Sequence, residues 1–474
     1  MKKKTSARLT RRNLFKAAGF AAVSGSALGT LGLLQRAQAA ATQKGFSDYR
    51  ALVCVRLDGG MDSYNMLLPR LTGTGNPATD YNVYTETRSN MSVGYDDASG
   101  TFNPSSILTL NNTDMGFSPE MPGVRGLYQS GDVALVSNVG TMIEPVTKAQ
   151  IEAGGAALPA QLFSHSDQSI QWSKAWSDSQ LNRGWFGRVA DLISPLNTFQ
   201  SPSMNVSVVG SNLLQVGNLV QPYSISTDGP IGIQTGWDPN GDRLTAVESI
   251  IATSSNLFAQ EYSRVKERAQ DNYDLIAGAL EALGTDEELF GAAVANSFPT
   301  ESFFFDQLRI VARMIAVRNS LQVERQTFVV ELGGFDTHDA QLANLPALMQ
   351  ELDTGLTAFN AAIDALGVHN NVTTFTQTEF SRTLNSNGNG TDHGWGGHQI
   401  VMGGAVNGGQ IFGQLPDLTL DGPEDIDRGR IIPALSVEQY AATLASWFGV
   451  TNGDMDTVFP NLGNFNQSNL GFMA

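Results

Sequence analysis

Apolar residues in this chain follow two rhythms. Short Val-rich runs without alternation occur at Ala51–Leu57, Val133–Val139, Met204–Val209, Thr327–Leu332, Val372–Thr376 and Gln399–Met402. Runs of that length predict buried parallel strands, covered on both sheet faces. Between some of them, apolar residues recur at helical spacing over Ile250–Leu283, Phe303–Val323 and Leu342–Leu366. A last helix is predicted to begin at Ser436-Val437-Glu438-Gln439, which has capping-box form, and to run to Phe448 before Gly449. Strands alternating with helices predict an α/β fold: a doubly wound, mostly parallel sheet with helices on both faces.

Two stretches break the rhythm. Thr72–Thr113 is rich in Gly, Asn, Asp and Ser, and Leu213–Asp242 in Gly and Pro. Neither has the composition of a linker. Residues 46–474 therefore read as a single domain with loop excursions near 72–113 and 213–242. Within the second, Asp238-Pro239-Asn240-Gly241-Asp242 starts like a calcium loop. Arg243 stands where that loop needs Gly and Ser249 where it needs Glu, so the run reads as a turn.

The first 39 residues differ from the rest. They hold eight bases and no acid, with Arg11-Arg12 ahead of a mildly apolar Gly/Ala-rich stretch and Ala37-Gln38-Ala39 at the end. This pattern predicts a twin-arginine signal peptide at 1–39, cut by signal peptidase. The expected partners during export are the twin-arginine translocase and signal peptidase, and the expected location is the periplasm or the medium. No later stretch has the ~20 apolar residues of a membrane span.

The whole chain carries 29 Lys+Arg against 46 Asp+Glu, a net charge of −17. Without its leader it keeps 21 bases against the same 46 acids, or −25. So acidic a body is a poor match for nucleic acid or anionic lipid. The lone Cys54 lies in the first apolar run, reads as a small core residue, and excludes an intrachain disulfide. No Gly-x-Gly-x-x-Gly follows the first strand and no cysteine set is present for an iron–sulfur cluster, which argues against a redox carrier.

Candidate chemistry follows the histidines. Of five, His165, His338, His393 and His398 sit in polar, Gly-containing segments after strands, and only His369 in a helix-end turn. The crevice of an open α/β sheet lies at the carboxyl ends of its strands. Asp58-Gly59-Gly60-Met61-Asp62-Ser63-Tyr64-Asn65 ends the first strand, where Asp58 suits a metal and an Asx turn equally. Gly333-Gly334-Phe335-Asp336-Thr337-His338 offers two donors to one metal. Glu379-Phe380-Ser381-Arg382 offers either an oxyanion fork on Arg382 or an ion pair between its ends. Asp392-His393-Gly394-Trp395-Gly396-Gly397-His398 is the most specific segment, with three donors in a glycine-rich run. Ser164-His165-Ser166 opens a predicted helix through Trp172, with Ser164 as its N-cap or, like Ser166, as a nucleophile.

The leader and these motifs in order resemble a bacterial exported family, the domain of unknown function 1501. That family is similar in turn to the alkaline phosphatase and sulfatase superfamily. The resemblance implies an alkaline phosphatase-like α/β fold with one or two divalent metal ions, whether Zn, Ca, Mg or Mn. It implies one metal on Asp58, Asp392 and His393, and another on Asp336, His338 and His398. Arg382 would hold the substrate's oxygens. The nucleophile has no clear counterpart: Asp62, Ser63, Ser164 and Ser166 stand as candidates, and no cysteine occupies a formylglycine motif. Two functions are therefore expected. One is an exported metal-dependent hydrolase of phosphate or sulfate esters. The other is a non-catalytic cell-surface or periplasmic protein that binds a glycan or protein and retains the metal-binding fold.

Overall fold

A computed structural model of the chain describes residues 45–474, apart from 97–98, 200, 233–242, 244, 247–248, 250–255 and 300–301. The expected signal peptide, the Asp238–Asp242 turn and the start of the Ile250–Leu283 helix lie outside the described residues.

A ten-stranded sheet organises the molecule. At its centre Arg50–Asp58 lies between Arg325–Gly333 and Val372–Gln377, parallel to both. Outward from Arg325–Gly333 come Asn205–Ser207 and Tyr223–Ser226, also parallel. Beyond Val372–Gln377 come Gly397–Met402 and then Val133–Gly140. The apolar runs are strands because β-branched residues dominate them and both sides of each are covered.

Odd and even positions of the first strand serve two cores. Val53, Val55 and Leu57 pack with Phe304, Leu308, Val311, Leu352, Leu356 and Phe359, from helices Phe303–Ala316 and Gln341–Ala365. Leu52 and Cys54 pack with Trp172, Trp185, Phe186, Tyr440 and Leu444, from helices His165–Lys174, Trp185–Ile193 and Val437–Phe448. The α/β architecture expected from the alternating patterns is the one observed. Cys54 is fully buried, and burial pushes its thiol pKa up.

One expectation is corrected. Gly397–Met402 runs antiparallel to both neighbours. The chain leaves Val372–Gln377 through a hairpin of Arg382–Ser386 and Thr391–His393, with no crossover helix, so the next strand in the sheet runs back. The polar 72–113 stretch carries structure of its own. Asp80 caps the helix Tyr81–Arg88 by accepting from the Asn82 amide, and Leu108–Thr109 pairs with Met115–Phe117. The late helix is capped as its sequence predicts: Ser436 and Gln439 make the reciprocal bonds of a capping box.

Candidate metal centre

The carboxyl ends of the central strands hold the polar segments together through glycine. Gly59 has φ +120°, and a Cβ there would lie 2.3 Å from the Asp336 nitrogen. Gly60 has φ +79°, and its Cβ would meet the Phe380 ring at 2.3 Å. The Gly-Gly turn after the first strand thus lets two other loops close on it, one through its backbone and one through the Phe380 ring.

Three imidazoles converge there on one carboxylate. The Asp336 Oδ1 atom lies 3.5 Å from His165 Nε2, 3.2 Å from His338 Nε2 and 3.3 Å from His393 Nε2. The His338 and His393 Nε2 atoms are 2.8 Å apart. Donor atoms of His165, Asp336 and His393 all fall within 4.8 Å of one another.

Each ring is oriented from behind. His165 Nδ1 is 2.7 Å from Glu379 Oε1, and that oxygen also accepts from the Gly59 amide at 2.9 Å. His338 Nδ1 is 3.3 Å from Asp392 Oδ1. His393 Nδ1 donates to the Phe163 carbonyl at 2.6 Å. An Nδ1–H given to a carboxylate or carbonyl leaves the Nε2 lone pair free, the arrangement found behind metal-ligating histidines. A tetrahedral ion with donors at about 2.0–2.1 Å needs donor–donor edges near 3.3 Å. The distances from Asp336 to His165 and His393 are close to that edge, so His165, Asp336 and His393 fit a divalent cation, with His338 beside them.

The electrostatics agree. Burial pushes the Asp336 carboxyl up, but the hydrogen bond and charge of Arg382, with His338 and His165, outweigh it and hold it below the usual carboxylate range. Burial lowers the His393 pKa, the Phe163 carbonyl opposes this, and Arg382, His165 and His338 lower it further. The centre is open, with side chains of Asp336, His338 and His165 exposed by 47%, 42% and 39%. Phe380 forms its floor, stacked on His393 at 4.5 Å.

Asp336, His338 and His393 come together at one centre, whereas the resemblance implied His393 on one metal and Asp336 with His338 on another. The other expected donors stand elsewhere. Asp58 turns aside to Arg56 at 2.6 Å. Asp392 lies behind His338 and spends its second oxygen on Arg428 at 2.7 Å. His398 is in the core, its Nδ1 within 3.3 Å of the Ser137 hydroxyl and the Asn138 amide, and burial lowers its pKa to about 3. Because its strand is antiparallel and covered on both faces, His398 points into packed protein. Among the described residues the donors gather at one centre, not two.

The expected catalytic residues are also displaced. Arg382 has a fully buried side chain; it donates to Asp336 Oδ1 at 2.9 Å, to the Gly59 carbonyl at 3.2 Å and to the Thr391 carbonyl at 2.7 Å. Its fork holds Asp336 rather than facing solvent, and Glu379 does not pair with it. Asp62 and Ser63 are wholly buried. Asp62 binds Arg88, and also accepts from Gln341 at 2.6 Å. The Ser63 hydroxyl meets that of Ser381 at 3.0 Å and accepts from the His398 amide. Ser164 sits at the N-cap position, but its hydroxyl donates to Asp167 at 2.6 Å and makes no cap bond. Ser166 is exposed and contacts only Ser164 and Asp167, so both serines face the Asp167 carboxylate and neither is paired with a histidine.

Sequence reading missed His165 as a donor and Glu379 as its support. Their signal was present: a histidine in a polar segment after a strand, and an acid after another.

With this geometry in place, the comparisons follow. A family model for a protein of unknown function, DUF1501, matches residues 49–426. The chain belongs to that family. No curated protein sequence matches it. Among solved structures it is similar to Ps i-CgsB, determined in complex with k-i-k-neocarrahexaose, at 9% identity and a TM-score of 0.34, over 89% of this chain and 77% of that one. It is also similar to the PsFucS1 sulfatase from Pseudoalteromonas sp., at 8% identity and a TM-score of 0.32, over 89% and 71%. At that distance the likeness bears on neither substrate nor activity. Among the described residues of this DUF1501 protein, no helix is long and apolar enough to cross a membrane.

Proposed function

We propose that this chain is an exported metal-dependent hydrolase of phosphate or sulfate esters. It would work in the periplasm or outside the cell, after passage through the twin-arginine translocase and removal of residues 1–39. One observation carries the reading: three Nε2 atoms, each oriented by a partner on Nδ1, converge within 3.5 Å of one carboxylate oxygen in an open cleft. His165, Asp336, His338 and His393 would hold a single divalent cation. Three imidazoles favour a borderline ion such as Zn over Ca, Mg or Mn. Such an ion supplies Lewis-acid polarisation of an ester oxygen and acidifies water. Glu379, Asp392 and the Phe163 carbonyl keep the rings in the ligating tautomer, and Arg382 keeps Asp336 in register.

A specific observation favours the second reading, a non-catalytic surface protein that binds a glycan or protein. The candidate nucleophiles are buried or have no histidine paired with them. The two readings separate in one experiment. Metal content is measured for the full chain and for His338→Ala/His393→Ala, beside turnover of 4-nitrophenyl phosphate and 4-nitrophenyl sulfate. One equivalent of metal and turnover, both lost in the variant while its circular dichroism is kept, supports the hydrolase. Metal without turnover of either ester supports the binding protein. A folded wild-type chain that takes up no metal sinks both metal-based readings.

A further inference from the structure

The segments that carry the donors are tied together by one buried side chain. Gln341 is fully buried and opens the helix Gln341–Ala365, where it heads the buried stripe Leu345, Met349, Leu352 and Leu356. An amide at the end of an apolar stripe costs free energy unless its polar atoms are bonded. In Gln341 both ends are bonded. Nε2 donates to Asp62 Oδ2 at 2.6 Å, and Oε1 accepts from the Thr391 hydroxyl at 2.6 Å and the Thr337 hydroxyl at 3.2 Å.

Each of these partners belongs to a different segment of the site. Thr337 stands between Asp336 and His338, and Thr391 two residues before His393. Asp62 belongs to the turn after the first strand, and its carboxylate also binds Arg88. The first two segments touch through their backbones. A Cβ on Gly390 would lie 2.3 Å from the Thr337 carbonyl oxygen, and the Thr391 amide donates to that oxygen at 3.2 Å. The chain reaches Gln341 through Ala340 in the left-handed conformation, φ +51°, and the Gln341 amide donates to the Asn389 carbonyl at 3.2 Å. A left-handed alanine persists where its surroundings over-determine it.

The bonding runs in one direction. Paired with Arg88, the Asp62 carboxylate can only accept, which fixes the end of the amide that carries nitrogen. Oε1 therefore faces the two threonines, and both hydroxyls donate to it. Thr391 Oγ1 keeps a lone pair for Arg382 Nε at 3.4 Å, and Arg382 Nη1 donates to Asp336 Oδ1 at 2.9 Å. An unbroken chain of hydrogen bonds joins the buried Asp62–Arg88 pair, through Gln341, to the Asp336 carboxylate.

We propose that Gln341 is a positioning residue of the metal centre: it sets the distance between Asp336 and His338 on one segment and His393 on the other. The proposal rests on the metal-centre reading above. Without the amide, the two hydroxyls lose their common acceptor and Arg382 loses the fixed Thr391 oxygen beside it. The donors then no longer keep the spacing that one ion requires.

The test uses the full chain loaded with cobalt(II), whose visible absorption reports coordination number and geometry. Zinc affinity is measured alongside by competition with a chromophoric chelator. Gln341→Met keeps the length of the side chain and removes its hydrogen bonds; Thr391→Val removes one hydroxyl and leaves the amide in place. The expected result in Gln341→Met is a changed cobalt spectrum and at least tenfold weaker zinc binding, the size typical of partners behind metal ligands. Thr391→Val is expected to show a smaller change in the same direction. A wild-type cobalt spectrum in Gln341→Met overturns the proposal, whatever its melting temperature, because lost stability around an unaltered site is a merely structural role. If Gln341→Met does not fold, Thr391→Val decides, and a wild-type spectrum with wild-type zinc affinity there overturns the proposal. Either result leaves the metal centre standing. A wild-type chain that binds neither cobalt nor zinc removes the metal-centre reading itself, and the proposal with it.

Discussion

Replacing Glu379 with glutamine isolates the charge behind one metal donor. Glu379 is 6% exposed, and its Oε1 atom meets both His165 Nδ1 at 2.7 Å and the Gly59 amide at 2.9 Å. Glutamine preserves the shape and an accepting oxygen and removes the charge. A hydrogen bond to a charged group contributes about 1.5–3 kcal/mol and a neutral one about 0.5–1.5. The difference, roughly 1–1.5 kcal/mol, corresponds to about a tenfold weaker grip on the ion. That is the lower end of the 10–100-fold range typical of partners behind metal ligands. Alanine removes the acceptor altogether and leaves the Gly59 amide and the His165 ring unsupported, so about a hundredfold is expected from it. Zinc affinity is read by competition with a chromophoric chelator, for wild type, Glu379→Gln and Glu379→Ala. If Glu379→Gln binds zinc within twofold of wild type, Glu379 does not support a ligating histidine. Equal affinities for the glutamine and alanine variants would refute the magnitude reasoning.

Two further outcomes follow from single contacts. Gly59→Ala puts a methyl carbon 2.3 Å from the Asp336 nitrogen at φ +120°, so it is expected to cost ~2–4 kcal/mol and to lower metal content together with the melting temperature; wild-type values for both would contradict the packing described. Glu438 is fully buried, one oxygen accepts from the Ser177 amide and the other has no partner, and burial pushes its carboxyl up to about 7. Its folded pKa therefore exceeds its unfolded value of 4.5, so the folded state binds the extra proton between them. Its stability contribution is complete below about pH 4.5 and is lost as pH rises through about 7, by roughly 3 kcal/mol in all. Glu438→Gln should match wild type in chemical denaturation at pH 4.5 and be more stable at pH 8; equal stability at pH 8 would exclude a buried ionising carboxyl.

Local sequence decided which segments were strands, which were helices, and where several of them began. Val-rich runs such as Thr327–Leu332 can be buried only inside a covered sheet, and Ser436 with Gln439 closes its helix end by bonds within four residues. It also decided that Asp336 and His338 would act together, because a single residue separates them on one loop. What it left open was direction. Whether a side chain faces the cleft or the core depends on strand sense and on what packs behind it. Arg382 and His398 have the residue types of a site and face inward, because Asp336 captures the first and an antiparallel strand buries the second. His165 joined the centre only in the folded chain. It lies 171 positions before Asp336, and the two meet because the helix His165–Lys174, the second after Val133–Gly140, begins at the same end of the sheet where Arg325–Gly333 finishes. Short-range chemistry is written in neighbouring residues, whereas the convergence of distant loops depends on sheet order and register, which no local pattern encodes.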